Sequence, residues 1–303
     1  MAETVAPGRV GVFELTATRL RRLALASAFS LWVIVATGAT VRLTGSGLGC
    51  EGWPGCTPGA VFPEKDYHSF VEFGNRVVSV FPILLSLTTA VASQFLRALP
   101  RWVRATAWAA ALGTIAQAPL GLLTVRLDLD PLAVMSHFLL AIVVLACAVV
   151  VAVEARRAEV GPATPFVPPW VRRAALAFAA LAFAVIVTGT LVTAGGPHAG
   201  DPDVVDRLGN LQAAIWVHVR VTGAFGIALL AVVWYLRHTP VRRVAFLLLG
   251  VVIAQAIVGE VQWRNALPWW LVLIHVGLAA AVWAVTVWLV ALLRRPTASI
   301  ARA

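Results

Sequence analysis

Apolar residues run along this chain in blocks of about twenty, at roughly 23–43, 70–95, 105–125, 132–153, 171–193, 212–235, 243–263 and 268–292, each bounded by charge or by Pro and Gly. A helix rising ~1.5 Å per residue needs ~20 such residues to cross the hydrocarbon layer. Inside lipid a helix satisfies its own backbone. The pattern therefore predicts an all-α integral membrane protein with eight transmembrane helices.

Composition narrows the picture. With 60% hydrophobic and 13% charged residues over 303 positions and a mean hydropathy of +0.87, eight spans leave no room for a sizeable extramembrane domain. The net charge of +10, from 24 Lys and Arg against 14 Asp and Glu, is read as membrane topology, and nucleic acid is not expected as a partner. Basic residues gather before the first span (Arg9, Arg19, Arg21, Arg22), in the second, fourth and sixth connections, and in the tail (Arg294, Arg295, Arg302). The positive-inside rule then makes both termini cytoplasmic in a multi-pass protein of the plasma or inner membrane. The first run shows no trustworthy cleavage pattern and is expected to be a retained helix.

Two internal matches point to duplication. AQAPLG at Ala116–Gly121 recurs as AQAIVG at Ala254–Gly259, an offset of 138 that also relates His137 to His275, and ATGATV from Ala36 is echoed by VTGTLV from Val187. The expectation is two tandem pseudo-symmetric four-helix bundles, residues 1–160 and 170–303, joined by a Pro-rich cytoplasmic linker at 161–169. Four spans per unit give both halves the same orientation, about an axis along the membrane normal.

His198 and His238 fall in loops and are expected to be solvated. His137, His218 and His275 each lie a few residues past the outer start of spans four, six and eight, at one depth. An intramembrane imidazole is a functional candidate, and two of them across a bundle core suit the flat plate of haem between axial ligands, which favours His218 and His275 as iron ligands. Zinc would want four grouped N or S ligands, and neither C-x-x-C nor H-x-x-x-H is present. Cys147 reads as a small core residue.

On span two the stretch VEFGNRVVSV offers Glu72, Asn75 and Arg76 but no histidine. A helix starting slightly early would place His68, Glu72 and Asn75 on one face. Glu72 suits proton transfer or substrate positioning, against a plain surface pair with Arg76. Cys50 and Cys56, in GLGCEGWPGC, can close a small disulfide loop, structural or exchangeable. Arg42, Arg126, Arg220 and Arg264 are read at outer helix ends, where guanidinium forks could hold haem propionates or simply snorkel, and Arg76 is a further possible propionate partner. Trp53, Trp102, Trp170, Trp263, Trp269 and Trp270 read as interfacial anchors.

GATVRLTGSGLGCEGWPGC, GTLVTAGGPHAGD, the duplicated units and the His on spans four, six and eight together resemble the haem A synthases, membrane oxidoreductases with eight spans. The resemblance covers nearly the whole chain. It implies conversion of haem O to haem A by oxidation of a ring methyl to a formyl group. It also implies a cofactor haem b held by His218 and His275 in the second half, substrate haem at His137 in the first, a catalytic Glu72 and a Cys50–Cys56 disulfide. Its implied partners are an external electron donor, the haem O-producing enzyme, cytochrome oxidase assembly factors and the lipid bilayer. The family's E-x-x-H is E-x-x-N here, so at Asn75 the second ligand is missing. His68 could substitute, a weak ligand could serve, or one iron position could be open. No flavin or nicotinamide fingerprint is present. The competing readings are a b-type electron-transfer cytochrome that modifies nothing and a transporter with a polar path.

Overall fold

A computed structural model describes residues 15–57, 59–63, 66–161 and 166–294. Arg9, Glu64, Arg295, Arg302 and the linker positions 162–165 lie outside the described residues. Among those described, the chain is helical, with an isolated bridge between Thr57 and Ala60. Nine helices make eight apolar spans: α1 (Ala17–Leu43), α2 (Tyr67–Val78) with α3 (Val80–Phe95), α4 (Arg101–Arg126), α5 (Pro131–Val160), α6 (Pro169–Gly195), α7 (Leu211–Leu236), α8 (Arg242–Arg264) and α9 (Trp269–Leu292). This is a multi-pass membrane protein.

The starts are written locally. Side chains of Thr16, Asp66, Asp130 and Asn210 accept first-turn N–H groups of α1, α2, α5 and α7, which spares donors that have no intrahelical partner. Pro131 and Pro169 sit in the first turns of α5 and α6, where a missing N–H costs nothing. The second span differs from the single run expected, dividing at Ser79. Pro82 explains the break: it has no N–H for the carbonyl of Val78 and its ring crowds that carbonyl. The span also begins at Tyr67, early enough to carry His68, Glu72 and Asn75 on one helix.

Helices pack in two rings with the same cyclic order of neighbours. In the first half, α1 touches α3, α3 touches α4, α4 touches α5 and α5 closes on α1; in the second, α6–α7, α7–α8, α8–α9 and α6–α9 are the contacts. Span two therefore stands diagonally from α5, and α7 from α9. The halves meet through α1, α5, α6 and α9. The larger core cluster draws Leu31 and Val35 from α1 and Ile142 and Leu145 from α5 into contact with Phe178, Phe225, Leu248 and Trp283 of the second half. A smaller cluster fills the end where the termini lie, around Leu20, Val103 and Val151.

Two tryptophans tie the halves together. Trp32 Nε1 donates to the Gly277 carbonyl at 2.9 Å, and Trp283 Nε1 to the Ile142 carbonyl at 2.8 Å. Near the termini Arg157 pairs with the buried Glu154 and donates to the carbonyls of Ala291 and Arg294. These bonds replace partners that lipid cannot offer.

Candidate functional site

Toward the end that carries the long loops, the four corner residues of the two rings are Asn75, His137, His218 and His275. Each lies six to eight residues past the start of its helix, ~9–12 Å along the axis at 1.5 Å per residue. Each is half-buried.

The side chains around them repeat. His137 on α5 is held by Gln117 of α4, whose amide, in the orientation that satisfies both ends, donates to Nδ1 at 3.0 Å and accepts from Ala141 N at 2.8 Å. His275 on α9 is held by Gln255 of α8, amide nitrogen to Nε2 at 3.1 Å. A Cβ on Gly121 would stand 3.4 Å from Cε1 of His137, and one on Gly259 3.0 Å from Cε1 of His275. The glycines thus let each ring lie against the neighbouring helix. Gln117 and Gln255, like Gly121 and Gly259, belong to the AQA-x-x-G matches. The glutamine and glycine of each match are the groups that hold its imidazole.

The backbone that follows repeats too. Asp128 and Leu129 are left-handed (φ 48° and 60°), as are Ala266 and Leu267 (58° and 57°). Leu129 N donates to the Thr124 carbonyl and Leu267 N to that of Gln262, both at 2.8 Å. Left-handed non-glycine residues are uncommon, and here the same pair of turns recurs 138 residues apart.

The other diagonal follows the TG matches. Thr188 of α6 meets His218 Nδ1 at 3.1 Å, and a Cβ on Gly189 would stand 3.2 Å from the ring. Thr188 spends its hydrogen on the Ala184 and Val185 carbonyls, so its oxygen accepts from Nδ1–H and the lone pair of the neutral ring sits on Nε2. That is the tautomer a metal needs. In the first half Thr37 of α1 donates to Asn75 Oδ1 at 2.8 Å, and a Cβ on Gly38 would meet nothing within 4 Å. Asn75 stands where the second half has His218.

Each imidazole spends one nitrogen on its neighbour and keeps the other; His275 Nδ1 is buried with no partner. Gln117 donates to Nδ1 of His137 and Gln255 to Nε2 of His275, which places the proton on the free nitrogen of each ring; turning either amide over moves that proton to the bonded nitrogen and leaves the free one with the lone pair a metal needs. Among the described residues no three His, Cys, Asp or Glu gather as a metal cluster. Paired single nitrogens on diagonal helices, each backed by glycine, suit a planar metallo-macrocycle with axial ligands better than a bare ion.

Above Asn75 the first half carries a knot that the second lacks. Cys50 and Cys56 are bonded to each other, Cα atoms 4.5 Å apart. Glu72 accepts Cys50 N at 2.8 Å on one oxygen and Arg76 Nη2 on the other. Arg76 in turn donates to the Gly52 and Gly55 carbonyls at 2.7 and 2.6 Å. Glu72 is 5% exposed, which sets aside a plain surface pair with Arg76. Gly49 lies so close to the start of α2 that a Cβ would stand 2.6 Å from the His68 carbonyl. His68 itself is held through Nδ1 by Ser46 at 2.9 Å, and Ser46 by Thr44. Asp66 caps this helix; the Ser69 N–H it accepts holds its carboxyl below the ordinary range.

The arginines divide. Arg42 donates to the carbonyls of His198 and Thr193 at 2.8 and 2.9 Å, joining the first helix to the second long loop, and Arg76 is committed as described. Arg126, Arg220 and Arg264 are exposed, with Arg220 over the Trp216 ring and Arg264 paired to Glu260. His198, expected to be solvated, instead bonds the Leu267 carbonyl through Nε2 at 2.9 Å. It helps to seat the left-handed turn before α9. His238 is exposed beside Arg237.

A family profile described as cytochrome oxidase assembly protein (COX15-CtaA) matches residues 21–287. The chain is also similar to curated proteins named "Heme A synthase": 42% identical over 73 residues to that of Symbiobacterium thermophilum and 38% over 73 to that of Bacillus pumilus, 24% of each chain in both cases. To that of Geobacillus thermodenitrificans it is 33% identical over 70 residues, 23% of this chain and 22% of the relative. These matched stretches span about a quarter of the length of the curated relatives.

Proposed function

Since the chain belongs to the cytochrome oxidase assembly protein family COX15-CtaA, we propose that it is a haem A synthase: a membrane enzyme that takes haem O as substrate and oxidises one ring methyl to a formyl group. The observation that carries this reading is the pair His218 and His275, at matching depth on diagonal helices, each backed by a glycine and each with one ring nitrogen uncommitted. Haem b bound by this pair would supply the one-electron exchange with a donor outside the chain. His137, with the same glutamine and glycine behind it, receives the substrate haem in the first half.

The chain's own residues do the rest. Gln117, Thr188 and Gln255 fix ring orientation, and ligand basicity follows from such bonds. Glu72 lies three residues from Asn75 on one helix face, ~4.5 Å along the axis, where a carboxylate can hand protons to and from the reacting edge. Its bonds to Cys50 and Arg76 also fasten the disulfide loop over that edge. Apolar walls from α1, α5 and α9 keep water from the reacting group. Arg126 and Arg264 are exposed at the loop end and Arg220 two residues deeper than His218, as propionate partners. The two halves are read as tandem copies, 1–160 and 170–303, with both termini cytoplasmic in the plasma or inner membrane. The haem O-producing enzyme and oxidase assembly factors are the expected neighbours.

Pigments extracted from cells with and without the chain test this directly. Haem A disappears and haem O accumulates when the chain is deleted, and the intact chain restores haem A. Unchanged haem A in the deletion strain refutes the assignment. Haem bands in the purified protein with no change in cellular haem A would favour an electron-transfer cytochrome.

A further inference from the structure

Resting on the reading that haem enters the first half between α2 and α5, we propose that this haem is gripped by a single imidazole, His137. Asn75 faces its other side as a hydrogen-bond donor, leaving that side open to a small exogenous ligand such as carbon monoxide or cyanide.

Asn75 occupies the corner that His218 occupies in the second half and meets Thr37 where His218 meets Thr188, with Thr37 donating to the amide and Thr188 accepting from the ring. The substitution changes what the corner offers. An amide nitrogen has no lone pair to give a metal, and the amide oxygen, the group's only acceptor, already takes the Thr37 hydrogen on one of its two lone pairs. Among the described residues no partner is found for the Nδ2 hydrogens, so donation is what the nitrogen has left. The shorter side chain also leaves its threonine-bearing helix uncrowded: a Cβ on Gly38 meets nothing within 4 Å, whereas one on Gly189 meets the His218 ring at 3.2 Å.

The other nitrogen on this helix does not fill the gap. His68 lies seven residues toward the loops, ~10.5 Å along the axis, and its Nδ1 is bonded to Ser46, which is fully buried. Glu72 has committed both oxygens. The two halves thus differ in kind. The second half, with two imidazoles, holds iron closed, while the first, with an imidazole facing an amide, holds it open with a donor above it.

The test uses the purified full-length holoprotein with haem added to two equivalents, reduced under carbon monoxide. One haem binds the gas and, when oxidised, is high-spin; the other stays low-spin and inert. Asn75→His turns the reactive haem low-spin and abolishes carbon monoxide binding. Asn75→Ala keeps the binding but raises the C–O stretching frequency and weakens cyanide roughly fivefold, the effect of one lost hydrogen bond. His68→Ala leaves the spin state as it was. Two low-spin haems inert to carbon monoxide in the unmodified protein would overturn the inference, as would a change of spin state in His68→Ala. If His137→Ala loses no haem, or a second equivalent never binds, the first-half haem assignment itself fails.

Discussion

The two corners at which a threonine of one helix meets a polar side chain of the next have the same parts and different occupants. In the second half Thr188 and Gly189 hold an imidazole, while in the first Thr37 holds an amide and Gly38 stands clear of it. The opposite corners do not diverge: Gln117 with Gly121 and Gln255 with Gly259 both hold an imidazole. The two matching corners thus keep the threonine and change the group that it meets, from imidazole to amide. The loop over each corner differs in the same sense. The first is knotted by a disulfide and an ion pair; the second is held to α1 and α9 by Arg42 and His198.

The comparison breaks most sharply at the imidazoles. His218→Ala or His275→Ala removes one of two haems from the purified protein and with it the low-spin spectrum; His137→Ala removes the other and spares that spectrum. Optical and paramagnetic resonance spectra check this. A His218→Ala protein with an unchanged low-spin signal would end the claim that the second half is the closed site.

Next in size is the knot. Glu72→Ala leaves Arg76 with carbonyls alone and frees Cys50 N. Losing one partner of a buried pair costs about 3 kcal/mol. The first loop should become open to protease and its disulfide easier to reduce, with the second loop unaffected. Peptide mapping after limited proteolysis separates the two loops.

The glycines give a smaller and opposite pair. Gly189→Ala forces a Cβ to 3.2 Å from the His218 ring and costs about 1–3 kcal/mol by overpacking. Gly38→Ala meets no neighbour and gains about 0.5–1 kcal/mol from helix propensity. Thermal unfolding in detergent, with haem release as a second readout, should move in opposite directions for the two. Equal destabilisation would deny that these glycines mark inequivalent corners.

The eight spans were legible because span length and apolar runs are local properties. The imidazole depths followed from the same counting. The role of Gln117, Gln255, Thr37 and Thr188 was not legible, although the strings containing them had been matched, because contact across helices depends on rotation about each axis. His198 misled for a related reason: a loop histidine reads as solvated until the neighbouring turn folds back on it. Arg42 lies at a helix end as expected, but its fork, like that of Arg76, meets backbone carbonyls that sequence cannot bring near. The break at Ser79 was in principle readable from Pro82 four residues after Val78.

The smallest effect lies at the helix starts nearest the loops. α2 is capped by Asp66, which accepts His68 N and Ser69 N at 3.0 and 3.1 Å; its counterpart α7 is capped by Asn210, which accepts Ala213 N at 2.9 Å. One cap can be protonated and the other cannot. The Ser69 N–H, together with the His68 N–H and nearby ring, holds the Asp66 carboxyl below its ordinary value. A depressed folded value means that the cap's contribution is complete above the unfolded value, about 3.9. It fades as pH falls through the folded one. Acid should therefore fray the first turn of α2 while leaving α7 intact, seen as faster amide exchange at His68 and Ser69 and unchanged exchange at Ala213. Asp66→Asn should abolish that pH dependence and make the two starts alike. If α7 frays in step with α2, the cause is global loosening in acid, and the difference between the caps has no part in it.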